Sequence, residues 1–306
     1  MNNLKEFDDW CSQLTKDAGL SYPLVFNHHL QQIKHKWDVF DDEIAEPINS
    51  VMVLLLQHSH TAQLIDFTAL MSNKMEDGKL LLLRLKMYVN CGIAYNMQNR
   101  LDDAEKMYHQ AMALAQPKIA KPEQEDFNIL GSIHYNFARL EVSRGKNVDE
   151  LLKSAIYFFS NGGYQPGLAS ALSLKAVLLP ADATLERIEL FLKAAEINKT
   201  EGLINDYAMR LANVGVEYIN VDEFEKGLEY LNRALDINLE NGSAHHLGMN
   251  YFMLAETMLQ RDDAQSAQTY CKLAATEFNR ANIKTYDTEI ARLQAEVARL
   301  QSQNSK

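Results

Sequence analysis

Along most of the chain the apolar positions recur at i, i+3, i+4 and i+7, and nowhere over a useful length do they alternate with period two. This pattern predicts amphipathic helices throughout and no sheet. The longest unbroken apolar run, residues 51–56, is far short of the roughly 20 residues a bilayer-spanning helix needs, and reads as a buried helix. The 13 glycines and 6 prolines fall almost entirely at the ends of the periodic segments, where helix breakers belong.

The helices repeat in a fixed register. Gly92, Tyr95, Ala104, Tyr108 and Ala111 give the order small, large, small, large, small. Gly215, Tyr218, Gly227, Leu231 and Ala234 repeat it with the same spacing. Ala255, Met258, Ala267, Cys271 and Ala274 do so again, as do Ala176, Leu179, Ile188, Leu192 and Ala195. Small residues let two antiparallel helices approach closely, and the large ones fill the space beside them. The connecting segments at 99–103, 220–223 and 260–263 place acidic residues at the start of each second helix. There they can cap free N–H groups and meet the positive end of the helix dipole.

This register resembles the tetratricopeptide repeat (TPR). The matching windows are 85–118, 169–202, 208–241 and 248–281, with a degenerate fifth at 131–168 built on Asn136, Ala138, Ala155 and Phe158. In that unit Glu141 falls where the family prefers an aromatic, which predicts a local distortion. Repeat starts at 131, 169, 208 and 248 are 38 to 40 residues apart, a long spacing similar to that of bacterial regulatory arrays. The resemblance implies an all-α, right-handed superhelical solenoid of antiparallel helix pairs.

Three segments follow. Residues 1–84 are helical without a clean register and are expected to continue or cap the solenoid. Within them, 48–75 has room for one or two decayed repeats, with Leu56, Leu64 and Met71 in repeat-like positions. Residues 85–281 hold the five repeats. Residues 282–306 form a C-terminal helix in which Tyr286, Ile290, Leu293, Val297 and Leu300 make a short heptad seam, followed by a polar, frayed tail. The seam is open to two uses, a cap on the last repeat or a homodimer contact through 286–300.

Charge narrows the partners. A formal net charge of -11 repels phosphate backbones and anionic membrane surfaces, so neither nucleic acid nor membrane is expected as a ligand. The N-terminal residues have no apolar signal region, and the three cysteines are widely separated, which points to a cytoplasmic protein without a disulfide framework.

No catalytic, cofactor or metal motif is legible. The Gly-rich segment 162–167 lacks the Lys and Ser or Thr of a phosphate loop and reads as a turn between repeats. His28–His29, His58–His60 and His245–His246 are one or two residues apart, whereas ligands on one helix face need three or four. Cys91 and Cys271 occupy core slots, where a thiol behaves as a small hydrophobe.

The resemblance implies that partners bind on the face lined by the first helix of each pair. By repeat position the candidates are Lys86, Asn90, Ile93, Tyr135, Asn136, Arg139, Asn213, Val216, Phe252, Met253 and Glu256. Lys86, Asn90 and Asn136 are the only members present of the set of Lys, Arg and Asn residues with which some TPR proteins clamp the acidic C-termini of chaperones, so that activity is not expected. The asparagines suit the backbone of an extended peptide, or else are consensus residues that support the inter-helix turn. Phe252 is the expected aromatic anchor. The reading is a protein- or peptide-binding module of bacterial regulation rather than an enzyme. The alternatives are a sensor array of a larger diguanylate-cyclase or histidine-kinase regulator, and a regulator similar to the aspartyl-phosphate phosphatases, for which Gln31 and Gln32 are the only support.

Overall fold

The computed structural model describes residues 2–16, 24–75 and 80–304, so the last two residues of the expected tail lie outside the described residues. The described residues form fifteen α-helices and one short 3-10 turn, with no strand. The chain divides into two compact units, Met1–Gly163 and Tyr164–Lys306.

The first unit opens with α1 (Asn2–Lys16) and α2 (Leu24–His35). Three hairpins follow: α3 (Ala45–Gln57) with α4 (Thr61–Lys74), α5 (Leu81–Met97) with α6 (Leu101–Ala120), and α7 (Phe127–Ser143) with α8 (Asp149–Gly162). Helices α1 and α2 lie against α4 and α3, where Phe7 stacks on Trp37 at 4.9 Å and Trp10 packs against Phe67 at 5.0 Å between ring centroids.

The second unit contains α9 (Gln165–Leu178) with α10 (Thr184–Thr200), α11 (Ile204–Asn220) with α12 (Phe224–Asn241), α13 (Ala244–Gln260) with α14 (Ala264–Arg280), and a final unpaired helix α15 (Asp287–Asn304).

The small residues of the register sit at the helix crossings. A Cβ added to Gly92 would collide with the ring of Tyr108, its partner in the register, at 2.6 Å. Ala104, Ala111, Ala234, Ala255, Ala267 and Ala274 are all fully buried. Cys91 and Cys271 are core residues, and burial pushes the Cys91 thiol up to about 11. Thiols so placed are poor nucleophiles.

One backbone device closes most of the hairpins. Ser59, Asn99, Gly145, Asp222 and Asp262 all have left-handed backbone angles. At each, two hydrogen bonds close the first helix in the same way. Asn99 N donates to Asn96 O and Arg100 N to Tyr95 O, both at 2.9 Å. Asp222 and Asp262 donate to Ile219 and Leu259, and Glu223 and Asp263 to Tyr218 and Met258. This is the Schellman arrangement, which satisfies carbonyls left over at the helix end. Because Ser59 carries it too, the α3–α4 hairpin ends its first helix as the recognisable repeats do.

Three expectations are corrected. Of the acidic turn residues, Asp263 caps its helix by accepting from Ser266 N at 3.0 Å, but α6 and α12 have no side-chain cap. Asp222 and Asp262 serve the turn itself. In the α9–α10 hairpin the large core residue is Phe191, and Leu192 is only half-buried. The cause is Pro180: Leu179 before it is extended, so α9 stops early. Helix α10 then starts eight residues after Ala176, whereas α6, α12 and α14 start nine after Gly92, Gly215 and Ala255. Finally, Glu141 does not distort its repeat. Helix α7 runs unbroken, and buried Glu141 pairs with Lys146 at 2.7 Å beside Arg144, which itself bridges Asp102 and Glu105 at 2.6 Å each. An ion cluster occupies the place of the aromatic.

The C-terminal seam is consumed inside the chain. Ile290, Leu293 and Val297 are buried, the first two in a cluster with Phe252, Cys271 and Phe278. Tyr286 stacks on Phe278 at 4.5 Å with planes 8° apart. Helix α15 thus covers the last hairpin, as a terminal repeat needs.

Candidate functional site

In each unit the candidate face is the set of side chains that the first helices do not bury against their second helices. On a helix, residues at i, i+4 and i+7 share one stripe. In the first unit, α5 presents Lys86, Asn90 and Ile93, and α7 presents Ser132, Asn136 and Arg139, with Tyr135 alongside. Helices α5 and α7 pack directly against each other, so the two stripes adjoin.

Lys86 and Arg139 are exposed, while Asn90, Ile93, Tyr135 and Asn136 are half-buried. The Arg139 guanidinium lies 5.9 Å from the Tyr135 ring centroid, and Tyr135 in turn meets Phe159 edge-on at 6.3 Å. Asn136 donates one amide hydrogen to Ser132 O at 2.9 Å, leaving its carbonyl oxygen and a second hydrogen for other partners. Among the described residues Asn90 makes no such bond, so its half-buried amide is available in full. Met97, one turn beyond Ile93 on the same stripe, is 53% exposed.

In the second unit, Asn213, Val216, Met253 and Glu256 are half-buried on α11 and α13. Val216 and Met253 pack against the core around Leu211 and Leu254. Glu256 is held by Arg292 of α15 at 2.6 Å, so its charge is already compensated. Phe252 differs from expectation. It is only 9% exposed and lies under Tyr286, whose ring centroid is 6.1 Å away. Helix α15, distant in sequence, covers it, and its burial is explained by the fold. Val177, on the corresponding stripe of α9, is 58% exposed and offers apolar surface there instead.

The second unit also buries polar groups that the pattern of apolar positions did not disclose. Arg187 and Glu217 pair at 2.5 Å, and burial raises the Glu217 carboxyl above the usual range while Arg187 pulls it down. Asn238 donates to Asn250 in the core between α12 and α13. Both are second- to first-helix contacts, which suits fixing the alignment of neighbouring hairpins.

The histidine pairs are dispersed in role. Nδ1 of His246 contacts Ser243 Oγ at 2.6 Å and Nδ1 of His29 contacts Gln32 Oε1 at 3.0 Å. Among the described residues, no group of three or more His, Cys, Asp or Glu side chains is arranged to hold a metal, and no helix is long and apolar enough to cross a membrane.

No protein-family model matches the chain, and no curated protein matches it in sequence. Solved structures do match in fold. A Rap protein complexed with Competence and Sporulation Factor is 12% identical with a TM-score of 0.56, the match covering 97% of this chain and 98% of that one. BtubC (BKLC) from P. vanneervenii is 15% identical with a TM-score of 0.54, covering 76% and 91%. At these identities the likeness assigns the fold, which is the TPR type of helical-hairpin repeat that the small–large register indicated.

Proposed function

We propose that the chain is a protein- or peptide-binding module whose ligand lies on the first-helix faces, working in bacterial regulation. The observation that carries this reading is a half-buried amide at one repeated position of the first helices, Asn90 and Asn136 in the first unit and Asn213 in the second. Asn90 and Asn213 have no intramolecular partner among the described residues. A partly exposed amide without an intramolecular partner bonds to water, which an extended peptide backbone can replace as both donor and acceptor, for a net gain of about 1 kcal/mol per bond. The long repeat spacing and the full-length fold likeness to a Rap protein solved with a peptide factor support the regulatory setting.

The test is affinity capture from an extract of the source cells with the wild-type chain and an Asn90→Ala/Asn213→Ala double variant. The reading expects a partner that the wild type retains and the variant loses at unchanged helicity and melting temperature. Equal retention by both would place the binding surface elsewhere.

A further inference from the structure

A cavity of about 240 Å³ lies between α14 and α15 and shares no residue with the candidate face. Its floor is Cys271 and Val297, both almost fully buried, with Ala298 beside them. Gln268, Gln294 and Gln301 supply amides around it, and Lys272 supplies the one charge of the lining. Among the described residues the Lys272 ammonium has no ion-pair or hydrogen-bond partner, and neither do the amides of Gln268 and Gln294.

The register explains why this place is open. Ala244 opens α13 and Asp287 opens α15, 43 residues apart, and α15 packs on α14 and α13 as α13 packs on α12 and α11. On that count Gln294 and Ala298 correspond to Tyr251 and Ala255. In the α13–α14 hairpin those two face the second helix, Tyr251 stacking on Tyr270 at 6.2 Å and Ala255 packing with Cys271 and Ala274. Among the described residues no second helix follows α15, and Gln294 stands exposed where an aromatic would meet one. An amide in that position suits a polar ligand better than an apolar helix.

The nearby charge has one sign. The only acidic residue of α14, Glu277, is held by Arg280 at 2.7 Å. On α15, Glu296 is held by Arg292 at 2.9 Å, and no Asp or Glu follows it in the helix. Asp287 and Glu289 lie in the first turn of α15, about 7–10 Å along the axis from Gln294. Asp263 accepts from Ser266 N at the start of α14. In a chain whose net charge is -11, an unpaired ammonium over an apolar floor is a local attractor for an anion.

We propose that this cavity binds a small organic monoanion, a carboxylate on a compact apolar body. The carboxylate accepts hydrogen bonds from Lys272 and the glutamine amides, and the apolar body rests on Cys271, Val297 and Ala298. A cavity of about 150 Å³ holds benzene, so this one takes roughly ten heavy atoms. Bound there, the anion bridges α14 and α15 and fastens the helix that covers the last hairpin.

The experiment titrates the full chain at neutral pH with phenylacetate and with its neutral isostere phenylacetamide, by calorimetry and by thermal melts. Phenylacetate should bind about tenfold more tightly than the amide and should raise the melting temperature. Lys272→Gln should weaken phenylacetate about tenfold and leave phenylacetamide unchanged. Ala298→Leu should fill the cavity and remove binding of both. Lys272 and Ala298 are exposed, so circular dichroism of the variants should match wild type. The Asn90→Ala/Asn213→Ala variant should bind phenylacetate as the wild type does, which keeps this test separate from that of the first-helix reading. Equal affinity for acid and amide, no saturable binding of phenylacetate in the millimolar range, or an affinity untouched by Lys272→Gln and Ala298→Leu would overturn the proposal.

Discussion

Gly215 and Gly227 face each other across the α11–α12 hairpin at backbone contact. A Cβ on Gly215 would stand 2.7 Å from the Gly227 carbonyl oxygen, and one on Gly227 would stand 2.8 Å from that of Gly215. For Gly215 the nearest obstacle is backbone, which cannot swing away to make room; a Cβ on Gly227 would also meet the Ile219 side chain. Gly215→Leu should overpack this crossing and cost about 1–3 kcal/mol. Chemical denaturation checks it, and wild-type stability for the variant would remove the close-approach account of the repeat.

The left-handed turn residues make a second, independent prediction. Asn99 has φ of +58°, a conformation that Asn tolerates and a β-branched residue does not. Asn99→Val should destabilise by about 1–2 kcal/mol, whereas Asn99→Gly should stay within about 0.5 kcal/mol of wild type. Equal losses in the two variants would mean that the Asn99 side chain, not its backbone, holds the turn.

These two cases show what was legible in the sequence. Close approach needs small residues at fixed intervals, so Gly92, Gly215 and Ala255 announce the hairpins without any long-range information. The turn signal was also present, as Ser59, Asn99, Gly145, Asp222 and Asp262 hold one repeat position, and reading it would have aligned α3–α4 with the rest. The pairing of Leu192 failed because Pro180 shifts the start of α10 by one residue. Exposure of Phe252 was misjudged because its cover, Tyr286 with Ile290 and Leu293, comes from α15 and the turn before it, outside the repeats. The Glu141 ion cluster draws its partners from α6 and the following turn, which a single-repeat comparison does not connect. On the candidate face, residue positions were readable from the register. The charge balance of Lys86 and Arg139 was not, since it depends on which carboxylates are already paired.

The C-terminal helix gives the third prediction. Leu293 of α15 is buried against the last hairpin, so Leu293→Ala should cost about 2–5 kcal/mol. Light scattering should return the same molar mass for wild type and variant, because the residue faces its own chain. A drop from dimer to monomer with the fold retained would instead make 286–300 an intermolecular seam.

Acidity should act first through buried histidine. His134 is buried beside Phe158, with Nδ1 2.8 Å from Leu130 O, and desolvation holds its pKa below the usual histidine value. The folded state therefore keeps it neutral while the unfolded chain takes up a proton. The stability it contributes is fully present above the unfolded pKa of about 6.5 and is lost as pH falls toward the lower folded value. Glu105, held down chiefly by its hydrogen bond to Arg144, follows the same sign in a separate window below the usual carboxylate range. Thermal melts from pH 7 to pH 5 should fall less steeply for His134→Phe than for wild type. Parallel slopes would assign the loss to other groups.

Hydrogen exchange of the chain with and without its retained partner tests the central claim most directly, because exchange reads each helix separately. Binding on the first-helix faces predicts added protection concentrated in α5, α7, α11 and α13, with α6, α8, α12 and α14 changing less. Protection confined to the second helices, or a partner that leaves every first helix unchanged, would contradict it.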